Sequence, residues 1–354
     1  MSSLLGNPKI LTALIAVLIL FILGLAGGAL GNQFGGGFLG APLAGIELKA
    51  EPIGPNPIVG DFKITNTMVT TWIAILVLVL VSFLGTRRAS EVPGRLQSFL
   101  EVILEFFLNL AESVAGPKNA RRFFPLVTTI FLFIVTSNWL GILPGVGTIG
   151  WVESPEEVQH HKEAALDDPH DLDLSSVQLQ VFDGDGGLAL LPFGSVDSLV
   201  TLEEFEEHGV DDGKRAGILV PFLRSANTDI NTPLAMALIA MFMVHFWGLR
   251  SLGIFGHVGK YLNFKEGPIG LFVGVLEAIS EVARVISFTF RLFGNIFAGE
   301  VLLIAMAFLI PLVGLVPFLG LELFVGLIQA FIFAMLTLVF AASATISHGS
   351  DDHH

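Results

Sequence analysis

The sequence contains no cysteine, which excludes disulfides, thiolate metal sites and cysteine nucleophiles, and leaves the redox compartment open. Charge is sparse as well: Asp, Glu, Lys and Arg together make up 14% of the 354 residues. Only 18 of these are basic against 32 acidic, a balance that argues against nucleic-acid binding. Apolar residues fill the chain instead, at 53% of the composition with a mean hydropathy of +0.76. Several apolar runs reach about 18 residues or more, enough to cross a hydrocarbon core of about 30 Å. The composition is that of a polytopic helical membrane protein, in which each ionisable group inside a span costs a few kcal/mol and asks for a reason.

The formal charge of −14 is not spread evenly, because residues 153–212 hold 17 Asp or Glu against the single Lys162. The remainder is near neutral. Such a stretch repels itself and stays solvated, so residues 151–217 read as an external acidic loop. Within it, Val177–Phe182 and Leu188–Phe193 flank Asp183-Gly184-Asp185-Gly186-Gly187, the pattern of a β-hairpin around a glycine-rich turn. A calcium site at Asp183 and Asp185 is the alternative to a plain turn, but the ligand pattern of a calcium loop and its terminal Glu are missing.

The expected fold class is an all-α polytopic membrane protein with about six membrane helices. The spans are expected at residues 10–30, 68–86, 123–145, 220–249, 269–309 and 318–346. The last two form a long, tilted C-terminal helix pair. Residues 1–31 read as an extra N-terminal membrane helix, with a cleaved signal sequence as the alternative that its length and weakly basic start oppose. Residues 32–67 form an external Gly/Pro-rich segment. Residues 68–150 combine membrane helices with an amphipathic surface helix at 94–116, where Gln97, Glu101, Glu105, Asn109 and Glu112 recur near helical spacing opposite Leu and Phe. Thr232-Pro233 reads as a helix start. Pro311, Gly314 and Pro317 mark the turn between the last two spans.

Arg87, Arg88, Arg95, Lys118, Arg121, Arg122, Arg250, Lys260 and Lys265 all fall on one face in this scheme. By the positive-inside rule that face is cytoplasmic, and both termini lie inside. Residues 348–354 form a cytoplasmic tail whose His348, His353 and His354 suggest no metal role, and no metal or other cofactor is expected elsewhere.

The fifth span carries the chemistry. Glu277, Arg284 and Arg291 stand seven residues apart, with Ser280, Ser287 and Asn295 close beside them, so they form one polar stripe. From Glu277 to Glu300 a continuous helix extends about 35 Å, comparable to the hydrocarbon core. A polar seam inside a helix bundle is one explanation. Two arginines favour an ion path, because Arg stays protonated and cannot escape its burial cost by neutralising. In the sixth span Glu322 and Gln329 also stand seven apart and share a face. Glu300 lies about half a turn round the helix from Arg291 and about 13 Å along it, which suits a path approaching the arginine. The alternative for Glu300 and Glu322 is plain hydrogen bonding between helices. His245 and His257 read as structural.

The run Ser287-Phe288-Thr289-Phe290-Arg291-Leu292-Phe293-Gly294-Asn295-Ile296-Phe297-Ala298-Gly299-Glu300 resembles the signature of subunit a of F-type ATP synthases. Ile328-Gln329-Ala330-Phe331-Ile332-Phe333 resembles its second signature, in the right order and at a suitable separation. Weaker similarity covers residues 90–145 and 221–347. The resemblance implies a proton-translocating stator subunit, not an enzyme on its own, whose two offset half-channels couple proton flow to rotation of a c-ring. It makes residues 218–347 the proton-channel helices.

By that resemblance Arg291 is the stator arginine that faces a ring carboxyl, with Gln329 its neighbour. Asn295, Glu300 and Glu322 line the outer half-channel, and Asn138, Asn227, Asp229 and Asn231 its entrance. A self-capping turn before Pro233 is the alternative for the last three. Glu277, Arg284 and Ser287 lie towards the cytoplasmic half-channel. The implied partners are c-ring subunits, b-type peripheral stalk subunits, the soluble ATPase head through the whole complex, the lipid bilayer and protons, in a cell inner membrane or plasma membrane. Three features depart from the family pattern: the acidic insertion, the extra first helix, and Glu322 where some relatives have histidine. With Glu322 an acid, the two carboxyls Glu300 and Glu322 are expected to share a proton. A secondary transporter would show inverted repeats, and none is evident. A scaffold subunit without an ion path leaves Arg284 and Arg291 unexplained.

Overall fold

The computed structural model of the chain describes residues 8–27, 50–53, 62–143, 145–163, 173–183, 188–190, 196–261, 267–310 and 312–346. Lys265, Pro311, Asp185 with its neighbouring glycines, and the tail histidines lie outside the described residues. The first three helices are α1 (Pro8–Gly27), α2 (Asn66–Thr86) and α3 (Arg95–Gly141). Next come β1 (Ile149–Glu153), α4 (Pro155–Glu163), β2 (Gln178–Asp183), β3 (Leu188–Leu190), β4 (Val196–Thr201), α5 (Leu202–His208) and β5 (Lys214–Pro221). The chain then continues through α6 (Asn231–Tyr261), α7 (Gly267–Leu309) and α8 (Val316–Thr345). Among the described residues six helices, α1 to α3 and α6 to α8, are long and apolar enough to cross a membrane, and the chain is a mostly helical, polytopic membrane protein.

The chain divides into two compact units. One gathers Thr71–Leu140, Ala226–Phe297 and Phe324–His354, and the other Met1–Thr70, Gly141–Ser225 and Ala298–Leu323.

The first of these is a helical bundle. Helix α3 is interrupted at Gly116, where φ is 72°, a left-handed conformation that costs glycine least. Pro117 then opens the second segment, a position where no amide hydrogen is needed. The expected amphipathic helix over 94–116 ends at this break. Its Phe107 and Ala111 pack with Ala120, Phe123 and Val127 of the second segment, Val244 and Trp247 of α6, and Ala334, Leu338 and Ala341 of α8. A second cluster joins Ile130 and Ile134 of α3, Ala237 and Ala240 of α6, Phe288, Leu292 and Ile296 of α7, and Ala330 and Phe333 of α8. The alanines in these seams have no accessible surface. Small side chains let membrane helices approach closely enough for dispersion to hold them, since lipid supplies no hydrophobic drive between helices.

The second unit contains the acidic stretch, whose described residues form strands and short helices where a solvated loop was expected. Its five strands form an antiparallel sheet in the order β3-β1-β5-β2-β4. Of the two runs expected to pair as a hairpin, the first lies largely in β2 and the described part of the second is β3, but these strands do not pair with each other. β3 lies against β1, and β2 lies between β5 and β4. In the β2–β5 pairing Val181 lies opposite Ala216, and Ala216 joins Leu179 of β2, Val158, Val177 and Leu202 in one buried core. The acids tolerate this because they sit outside it: Glu203, Glu204, Glu206 and Glu207 are all exposed on α5.

Both short helices carry local start signals. Thr201 accepts from the Glu204 amide while the Glu204 side chain accepts from the Thr201 amide. Ser154 and Glu157 make the same reciprocal pair before Pro155. The fourth span is also shorter than expected. It begins at Asn231, because the apolar residues from 218 to 221 belong to β5 and are held by β1; a short apolar run fits a strand as well as a helix. In the same unit α1 packs against the turn Leu312–Leu315.

Leu179 is fully buried, so Leu179→Ala should weaken the sheet by about 2–5 kcal/mol. Hydrogen exchange should speed up in β2 and β5 and stay unchanged in α6 and α8.

Candidate functional site

Helix α7 has two unlike faces within the helical bundle. Phe288, Leu292 and Ile296 are buried at successive four-residue intervals. Phe272, Leu276, Ile279, Val282, Ile286 and Phe290 are exposed. Arg291 belongs to the exposed surface, and among the described residues its one hydrogen bond runs from Nη2 to Ser287 Oγ at 3.3 Å. No carboxylate pairs with it among the described residues. Asn295, one turn further on, is exposed too, as is Ser287. Gln329 of α8 is buried.

Arg284 is placed differently. Its Nη1 donates to Glu281 Oε1, and its guanidinium carbon lies 4.5 Å from the centroid of the Phe340 ring, within cation–π range. Glu281 also lies 3.7 Å from His245 Nε2. The stripe expected from seven-residue spacing pointed to Glu277, which is half-buried, and passed over Glu281. The signal was available, since an acid three residues before an arginine on a helix is a neighbour.

The asparagine group is a buried polar knot. Asn227 Nδ2 donates to Asn138 Oδ1 at 2.7 Å and to Ser137 Oγ at 3.0 Å, while Asn138 Nδ2 donates to the Gly326 carbonyl at 3.1 Å. A side chain at Gly326 would press on Asn138, with a Cβ 3.1 Å from its own. Asp229 and Asn231 bond to each other. Asp229 Oδ1 accepts from the Asn231 amide at 3.2 Å and from its side chain at 3.0 Å, a cap that also sets negative charge at the N-terminus of α6. The structure therefore divides the predicted cluster into buried Asn138 and Asn227, and a capping Asp229 and Asn231.

In the other unit Glu300 meets a residue that sequence reasoning missed. Arg224 Nε donates to Glu300 Oε1 at 3.1 Å and Nη2 to Oε2 at 3.2 Å, a two-pronged contact with Arg224 only 7% exposed. The Glu322 carboxyl lies against Gly299, where a Cβ would come within 1.9 Å of Oε2. Glu300 is thus ion-paired with Arg224, while the Glu322 carboxyl rests on Gly299. Arg224 was detectable as an ionisable residue inside the apolar run then assigned to the fourth span, where a charge needs a partner.

Six membrane-capable helices that carry paired charges and buried amides define a multi-pass membrane protein with polar groups held inside its spans. The family model described as ATP synthase A chain matches residues 68–342, and the chain belongs to that family. It is similar to ATP synthase subunit a of Gloeobacter violaceus, at 32% identity over 323 residues that cover 87% of this chain and 100% of the relative. ATP synthase subunit a 1 of Hahella chejuensis is 29% identical over 81% of this chain and 86% of its own. The Moorella thermoacetica subunit a is 26% identical over 82% and 94%. These relatives support ATP synthesis and proton transport in a membrane as the setting in which the chain works.

Removing one partner of a buried ion pair leaves the other uncompensated, so Arg224→Ala should destabilise the protein by about 3–5 kcal/mol. Adding Glu300→Gln should recover much of that loss. Thermal denaturation of the detergent-solubilised complex, run as a double-mutant cycle, checks both.

Proposed function

We propose that this chain is the proton-translocating stator subunit of an F-type ATP synthase, and that the exposed face of α7 lies against a ring of small subunits that each present one carboxyl at mid-membrane. The observation that carries the reading is Arg291: a permanent cation, exposed in an apolar helix face, that no carboxylate answers among the described residues. Left in lipid such a charge is costly. A moving carboxylate removes the cost only while it faces the guanidinium.

Protons enter from the outer side past Glu300, Glu322 and Asn295, with Asn138, Asn227, Asp229 and Asn231 serving the entrance. A ring carboxylate leaving Arg291 takes one up and travels neutral through lipid. After nearly a full turn it releases the proton towards Glu277, Arg284 and Ser287, and Arg291 with Gln329 keeps the two half-paths apart. Arg224 holds Glu300 in a fixed position beside Glu322. At about 4 Å and an effective dielectric near 20 the attraction of Arg291 for a carboxylate is roughly 4 kcal/mol before desolvation. A membrane potential supplies about 2.3 kcal/mol per charge per 100 mV. The two are of one order, so the pair forms and still yields.

The c-ring, b-type stalk subunits and soluble ATPase head are the partners of this reading. Both termini are cytoplasmic, in a plasma or inner membrane.

Arg291→Ala should abolish ATP-driven acidification and proton-driven ATP synthesis in vesicles, normalised to assembled complex on a native gel. Arg291→Lys should rescue poorly, because an ammonium lacks the planar two-donor fork and sheds its proton more readily when desolvated. Near-normal coupling in the Ala variant removes Arg291 from the stator role.

A further inference from the structure

We infer that Glu281, His245 and His257 form the proton-release station on the cytoplasmic side of the path, an inference that rests on the proton-path reading above. The three come together through a break in α6. Gly253 has φ 72° and ψ 169°, so the helix does not run straight from His245 to His257. A straight helix would set residues twelve apart about 18 Å from one another. Instead the two imidazoles stand edge to face with centroids 5.5 Å apart. His257 is buried, and its ring lies on the backbone of Gly248, where a Cβ would come within 2.7 Å of the ring.

Helix α7 supplies the acid. Glu281 Oε1 accepts from Arg284, while Oε2 is buried, accepts no hydrogen bond among the described residues, and lies 3.7 Å from His245 Nε2. Arg284 keeps its proton and is stacked on Phe340, so it fixes the carboxyl without competing for the transferred proton. The free oxygen and the imidazole nitrogen are a short displacement or one water from transfer.

On α7 Glu277 lies one turn before Glu281, and on α6 Arg250 is exposed. Of the nearby residues of α3, Arg121 and Arg122 are exposed. The stretch of α8 from Ala330 to Thr345 carries no ionisable side chain and brings Phe340 and the Ala344 carbonyl. A proton received on Glu281 Oε2 passes to Nε2 of His245, a proton leaves the opposite ring nitrogen to His257 or water, and Glu281 returns to a carboxylate. Imidazole titrates within the range of cytoplasmic pH and both accepts and donates through its two nitrogens.

The test uses inverted vesicles bearing the assembled complex, with passive proton conduction measured after the soluble head is stripped and ATP-driven acidification measured before. The variants are Glu281→Gln, His245→Lys and, as a control on the parent reading, Arg291→Ala. Glutamine still accepts a hydrogen bond from Arg284, and lysine still offers Glu281 a cation, so each change keeps one merely structural contact of the group. Conduction should nonetheless fall by about tenfold or more in each, and its dependence on the pH of the cytoplasmic face between about 5.5 and 7.5 should flatten. Wild-type conduction and pH dependence in either variant overturn the inference, and two independent variants guard against one failing to assemble. If those variants behave as wild type while Arg291→Ala is uncoupled, the release station alone is wrong. If Arg291→Ala stays coupled, the proton-path reading fails first.

Discussion

A guanidinium in hydrocarbon cannot neutralise itself, so every arginine near the membrane helices has to be answered by something else. Arg224 is answered by both oxygens of Glu300, and Arg284 by Glu281 and the face of Phe340. Arg291 has only a hydroxyl from Ser287 among the described residues. Of these three arginines, two are answered by a carboxylate of the same chain and Arg291, among the described residues, is not. The open case lies on the exposed face of α7. A rotary mechanism needs such an asymmetry, because a charge satisfied within its own subunit has no hold on a moving partner.

The rest of the helical unit keeps that face available. Phe288, Leu292 and Ile296 anchor the opposite side of α7 against alanines of α6 and α8, so the arginine is carried on a rigid element. Gly116 and Gly253 turn the chain at the ends of helical segments without strain. The second break matters twice, since it ends the apolar part of α6 and also returns His257 to His245. The acidic sheet draws on a different source of stability, a small apolar core closed by two capped helices.

Much of this was legible in the sequence. Long apolar runs revealed the spans, because nothing else explains them in a chain so poor in charge. The polar residues of α7 were visible because an ionisable group inside such a run stands out. Pairings across the sequence were not visible. Arg224 and Glu300 are separated by 76 residues, and no periodicity links them. Glu281 was hidden by attention to seven-residue spacing when its partner lay three residues away. The hairpin failed for a related reason: a glycine-rich turn is a local signal, and β2 pairs instead with β5, far along the chain. The charge count of the acidic stretch likewise concealed the few buried residues that fold it.

The central claim is that Arg291 and its face of α7 meet another subunit. Because the chain has no cysteine, single cysteines can be introduced into α7 against a silent background and cross-linked in the intact complex. Ile286→Cys, Phe290→Cys and Asn295→Cys, on exposed positions, should each form disulfides with cysteines placed near the carboxyl of the small ring subunit. Leu292→Cys and Ile296→Cys, buried within the bundle, should not. If the exposed-face cysteines react only with lipid-soluble reagents and cross-link to no ring subunit while the complex is assembled, Arg291 faces lipid and the account is contradicted.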